Sequence, residues 1–195
     1  RQGGLSKKPF DTLNCSFNNG DDKNIVEQNL ELVRKELNLN CIIKLNQVHS
    51  SRVITLTSKN RNCNLKKADG IVTNILGVGL SILSADCAPL LFYDNVSRII
   101  GACHAGWRGA IDNIVECTVS QMEILGSKRS NIVAIVGPTI QKVSYEIKED
   151  VASIVKDSLF YKENNSILFS NQDDKYLFDL PLLLTESLKF SQIKN

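Results

Sequence analysis

The sequence predicts an α+β protein built as one domain, and three observations carry that expectation. A chain of 195 residues with 43% hydrophobic and 23% charged content is long enough to bury one self-sufficient core. Short apolar runs bounded by Gly, Asn, Asp and Pro follow one another through the middle of the chain with few helical patterns between them. That spacing favours strands in runs over a regular βαβ winding. No repeat, low-complexity segment or linker divides the chain, so residues 1–195 read as one unit.

Residues 1–20 are turn-rich, with Gly3-Gly4, Pro9 and Asn18-Asn19-Gly20, and leave room for at most one short strand. Asp21-Asp22 opens a helix whose apolar face is Ile25, Val26, Leu30, Val33 and Leu37, and Asn38 and Asn40 stop it. Strands are expected at Cys41–Leu45, Arg52–Thr57, Ile71–Thr73, Gly79–Ser84 and Pro89–Tyr93, and from Arg98 to His104. Lys59–Lys67 is polar and turn-like. A single helix from Ala110 is the clearest pattern: Ile111, Ile114, Val115, Thr118, Val119, Met122 and Leu125 form one stripe, and Gly126 sits where a left-handed C-terminal residue belongs. Asn131–Val136 reads as a buried strand leading to a Gly137-Pro138 turn. A helix near Lys148–Lys156, short strands at Ile167–Phe169 and Tyr176–Phe178, and a helix at Leu180–Leu188 complete the chain.

Composition removes several function classes. A net charge of +2 with no basic block argues against a general nucleic-acid binder. No apolar run approaches the roughly 18 residues of a membrane span. The six cysteines (Cys15, Cys41, Cys63, Cys87, Cys103, Cys117) are unevenly spaced, several inside apolar runs, and read as reduced thiols of a cytoplasmic protein. The chain begins at Arg1, so a missing signal peptide says little.

Chemistry concentrates at Ala102-Cys103-His104-Ala105-Gly106-Trp107-Arg108-Gly109, where a strand hands over to a helix. His49 and His104 are the only histidines, and both end predicted strands, as does Cys87. One thiolate and two imidazoles would leave a tetrahedral Zn²⁺ one open position for water or substrate. Cys103 competes as a ligand, but a strand sends neighbouring side chains to opposite faces, so only one of Cys103 and His104 can face the site. Spacing alone leaves other readings open. The histidines can be satisfied polar residues with Cys87 as a small core filler. A cysteine hydrolase would use Cys87 as nucleophile, a histidine as base and Asp86 or Asp69 as orienter. Asp69 and Asp86 also suit ordinary turn chemistry. Arg108 at a helix start suits phosphate, Trp107 could stack on a planar base, and Gln47 could read a base edge.

Asn46-Gln47-Val48-His49, Ala68-Asp69-Gly70, Ala85-Asp86-Cys87, His104-Ala105-Gly106-Trp107-Arg108-Gly109 and Gly137-Pro138 through Tyr145-Glu146 occur in an order and spacing that resemble the YfiH-like family, long labelled multicopper polyphenol oxidases or laccase-like. With Pro9-Phe10 and Leu13-Asn14 the likeness spans nearly the whole chain. The resemblance implies a four-layer α/β/β/α sandwich with mixed sheets, similar to the catalytic domain of cytotoxic necrotising factors. It implies a catalytic zinc held by His49, Cys87 and His104, with copper as the older assignment. It implies purine nucleosides and phosphate as substrates: phosphorolysis of adenosine, inosine, guanosine and methylthioadenosine, and deamination of adenosine. On that reading Asp86 joins the catalytic set, while Arg108, Gln47 and Asp69 are expected to touch substrate. The resemblance leaves the oligomeric state open.

The sequence departs from the family pattern in three places. Gln141-Lys142-Val143-Ser144 stands where members often carry a cysteine and glycines, and Ser50 replaces a common glycine. The family's C-terminal segment, with a Cys-Thr pair and a Ser-Tyr-Arg-Arg-like run, has no counterpart before Asn195, so the chain is expected to lack it.

Overall fold

The computed structural model describes residues 2–58, 66–170 and 175–193. Cys63 and most of the turn-like stretch expected at Lys59–Lys67 lie outside the described residues. Helix α1 (Lys23–Glu36) starts on Asp22, whose carboxylate accepts from the Asn24 N–H, and ends before Asn38 at φ 50°. Strands β1 (Cys41–Lys44), β2 (Val53–Leu56), β3 (Gly70–Thr73), β4 (Val78–Ser81), β5 (Ala88–Asp94) and β6 (Ile99–Ala105) follow. The second half holds α2 (Trp107–Ile111), α3 (Ile114–Ile124), β7 (Ile132–Val136), β8 (Glu146–Lys148), α4 (Glu149–Asp157), α5 (Leu159–Glu163), β9 (Leu168–Ser170), β10 (Lys175–Phe178) and α6 (Leu180–Phe190).

A five-stranded sheet, ordered β2-β3-β6-β5-β7, is the centre. It is mixed: β2 and β3 run parallel and the other neighbours antiparallel. Alternation along β6 sorts its side chains. Ile99, Cys103 and Ala105 enter the main core with Ile114, Val115, Val119 and Met122 of α3, whereas Ala102 joins a second core on the opposite face. That second core packs Ile43 of β1 against Ile54, Leu56 and Ile71, with Val78 and Leu80 of β4 beside them. β1 and β4 pair in parallel, and α1 lies against β1 on the outside. Helices, large sheet, small sheet and helix thus stack as four layers, the arrangement the resemblance implies. The antiparallel sheet β8-β10-β9 closes the far end of the main core with Ile147, Leu168 and Phe178.

The small sheet covers only the β2-β3-β6 half of the large one. On the β5-β7 half, Leu91, Tyr93, Val133 and Ile135 face outward and are each about half exposed.

Two expectations are corrected. The helix expected to run unbroken from Ala110 is two helices, because Asn113 adopts φ 60° between them. Its amide oxygen accepts from the Glu116 N–H and from the Ser187 hydroxyl, so a new helix is capped where the apolar stripe alone reads straight through. Helix α5 was not foreseen; Ser158 caps it at the Tyr161 N–H.

Candidate metal centre

Three loops at one end of the sheets bring the site together. His49 lies between β1 and β2 at φ 59°, Cys87 immediately precedes β5 after Asp86 at φ 77°, and His104 is the penultimate residue of β6. One ligand atom from each lies within 4.8 Å of the others, and no fourth His, Cys, Asp or Glu among the described residues joins them. Cys87 Sγ is 3.9 Å from His49 Nε2. The two imidazoles meet edge to face, centroids 4.9 Å apart. Two metal–ligand bonds at a tetrahedral angle span roughly 3.3–3.8 Å, so an ion needs only a small inward movement of these side chains. The donor set and its spacing fit a metal.

The glycine of the turn after β6 makes this approach achievable. A Cβ on Gly106 would stand 2.9 Å from His49 Cδ2 and 3.1 Å from Cys87 Sγ. Its φ of −77° is open to any residue, so glycine is needed for space rather than for conformation.

Asp69 organises the cluster from behind. It is fully buried, and its two carboxylate oxygens receive the N–H groups of Val48 (3.1 Å), His49 (3.0 Å) and Ser50 (2.8 Å) and the Ser50 hydroxyl (2.8 Å). Three successive amides around a left-handed His49 form an anion nest, here occupied by the protein's own carboxylate. The remaining partner is His104 Nδ1 at 3.0 Å. Burial alone would raise the Asp69 pKa, but hydrogen bonds from Ser50, His104 and Val48 outweigh it and hold the carboxyl low. An ionised carboxylate only accepts, so Nδ1 carries the proton and Nε2 presents its lone pair to the site. Burial keeps the His104 pKa below its ordinary value, against the pull of Asp69, which preserves that neutral form.

The expected residues divide. His49, Cys87 and His104 converge, and Cys103 points into the main core, where burial pushes its thiol up to about 12. Asp69, expected to touch substrate, has no exposed surface, and its carboxylate is engaged by the amides of residues 48–50 and by His104. Gln47, expected to read a base, spends its amide on one peptide: Nε2 donates to Leu83 O (2.7 Å) and Oε1 accepts from Leu83 N (2.8 Å). It thereby ties the His49 loop to the segment before Cys87. Asp86 is exposed beside Cys87, and its carbonyl is pinned by Thr139 Oγ1 and the Ile140 N–H. Arg108 is exposed, with its guanidinium 4.7 Å from the Trp107 ring centroid. The helix behind it, α2, has only five residues, so little dipole assists an anion there.

Two contributors carry little sequence signal. Ser50 adds a hydroxyl donor to Asp69. Tyr145 is raised in pKa by burial first and then by the nearby Cys87 and Asp86 groups, which keeps its phenol protonated beside the site. Burial, followed by Asp86 and Asp69, also pushes the Cys87 thiol up.

Fold and site together define a single-domain α+β protein with mixed sheets and a His-Cys-His cluster at one sheet end. The chain belongs to the multi-copper polyphenol oxidoreductase laccase family, whose model matches residues 1–195. A Rickettsia prowazekii protein named purine nucleoside phosphorylase is 32% identical over 192 residues, covering 92% of this chain and 77% of that protein. The Bacillus subtilis purine nucleoside phosphorylase YlmD is 36% identical over 166 residues, covering 80% of this chain and 60% of its own length. Crystal structures of YlmD from Geobacillus stearothermophilus and of the hypothetical protein YfiH from Bacillus licheniformis both superpose with a TM-score of 0.87, at 25% and 26% identity. They cover 100% and 99% of this chain and 75% and 76% of those proteins. No described helix is long and apolar enough to cross a membrane.

Proposed function

We propose that this chain is a zinc-dependent purine nucleoside phosphorylase, acting on adenosine, inosine, guanosine and methylthioadenosine, with adenosine deamination as a second activity of the same site. The observation that carries the reading is the three-donor cluster with no fourth protein ligand among the described residues, in a chain whose relatives bear that name. Three donors suit a catalytic zinc, whereas a structural zinc closes its shell with a fourth side chain. When bound, the metal supplies a Lewis acid that makes water nucleophilic near neutral pH.

The chain's own residues account for the rest. His49, Cys87 and His104 hold the ion, and Asp69 fixes the His104 ring so that Nε2 faces it. Arg108 is the exposed cation of the glycine-rich turn and the group we assign to phosphate. A departing purine must gain a proton. Asp86, solvent-exposed next to Cys87, is the carrier in this reading, and the protonated Tyr145 phenol is a second donor.

Copper oxidase chemistry is the second reading, favoured by the family's description and by a His₂Cys donor set, which also suits copper. With two histidines in the whole chain, a multi-copper cluster of imidazoles cannot be built within it. The test is to incubate the zinc-loaded protein with adenosine, with and without phosphate, and to separate the products. Adenine and ribose 1-phosphate formed only with phosphate, and inosine formed in either case, are the expected products. No product from any purine nucleoside, or full activity in Cys87→Ala, would overturn the proposal. Phenol turnover that tracks bound copper would favour the second reading.

A further inference from the structure

A cleft of about 630 Å³ lies between the loop of residues 9–19 and the segment 82–85, which leads directly into Cys87. Its volume sits within the range of about 300–1,000 Å³ that holds small ligands. Phe10 is the one aromatic side chain among the described residues that line it, with amides and hydroxyls from Asn14, Ser16, Asn19 and Ser84 around it. Both walls are fastened. The inner wall connects to two ligand loops, through the Gln47 amide on Leu83 and through the Ser84 hydroxyl, which donates to the Cys87 carbonyl. The outer wall is held by α1: buried Asn29 donates to the Ser6 hydroxyl (2.9 Å) and to Asn14 O (2.8 Å), while Asp21 accepts from Ser6 and from the Asn14 amide. Phe10 itself is partly exposed and is not part of the buried core.

We infer that this cleft receives the purine ring of the nucleoside, with Phe10 as its stacking surface and the sugar directed towards Cys87. The inference rests on the nucleoside reading above and adds a base-binding residue to it. Purines of differing edge chemistry share a π-face, so a stacking contact accepts several bases alike.

Binding is measured by calorimetry on the zinc-loaded protein without phosphate, so that inosine binds without phosphorolysis. Phe10→Ala is expected to raise the inosine Kd about tenfold, a factor equivalent to 1.4 kcal/mol. Ribose 1-phosphate, which lacks the ring, should bind Phe10→Ala and the wild type equally, and Phe10→Trp should bind inosine at least as tightly as the wild type. Phe10→Leu keeps apolar packing without a π-face and should resemble the alanine variant, which guards against a folding defect. An unchanged inosine Kd in Phe10→Leu with normal zinc content would overturn the inference while leaving phosphorolysis intact. An equal loss of ribose 1-phosphate binding would overturn it too. Failure of the wild type to bind or convert any nucleoside would instead remove the function on which it rests.

Discussion

At the scale of single residues, Asp69 and Gly106 set the geometry of the cluster without supplying a ligand. Asp69→Asn keeps the volume but replaces a pure acceptor with an amide, so the His104 ring loses its fixed tautomer and the nest loses its anion. Zinc affinity, read by competition with a chelating dye, should fall about 10–100-fold. Gly106→Ala acts differently, by driving a methyl to within 2.9 Å of His49 and 3.1 Å of Cys87. Its backbone tolerates alanine, so the melting temperature of the metal-free protein should barely move while zinc affinity drops; unchanged affinity would show that the site has slack. The convergence of His49, Cys87 and His104 was legible in the sequence because all three sit at strand ends beside polar breaks. The function of Asp69 was not. An Ala-Asp-Gly tripeptide reads as a turn, and nothing local says that its carboxylate reaches under a loop 20 residues earlier. The hold of Gln47 on Leu83 was hidden for the same reason, since that partner is 36 residues away.

At the scale of elements, the junction of α3 and α6 depends on one cation. Arg129 donates to both Glu116 and Glu123 of α3 and to the Ser191 carbonyl just past α6. Burial works to raise the Glu116 pKa, but the hydrogen bonds from Arg129 and its neighbours prevail and lower it below 4.5. A carboxylate whose folded pKa is depressed stabilises the fold above its unfolded pKa and stops doing so as pH falls through the folded value. Glu116→Gln should therefore cost about 1 kcal/mol at neutral pH, the pair being partly exposed. That deficit should shrink as pH falls below about 4.5, where the unfolded glutamate begins to protonate. Thermal melts of both proteins across this range check it, and a constant offset would refute the assignment. Helix periodicity predicted where α1, α3 and α6 lie but not the break at Asn113, because the stripe of Ile111, Ile114 and Val115 is compatible with either course. The single αL residue is held by the local Glu116 N–H and by the Ser187 hydroxyl, 74 residues away.

At the scale of the whole molecule, α+β layering was readable from strands arriving in runs, whereas which half of the large sheet the small one covers was not. Leu91, Tyr93, Val133 and Ile135 alternate like any core strand residues, yet stand outside because the covering sheet has two strands against five. The candidate site, by contrast, draws its three donors from residues 49, 87 and 104 and so brings both sheets to one point. The nest over Asp69 has a kinetic corollary. Judged by their side chains, Val48 and His49 belong to the surface, but their amide protons end on a carboxylate with no solvent contact. Those protons can exchange with deuterium only through an opening that also strands a buried negative charge. Their protection should match that of the β6 amides rather than that of other loops, and Asp69→Asn should release all three together.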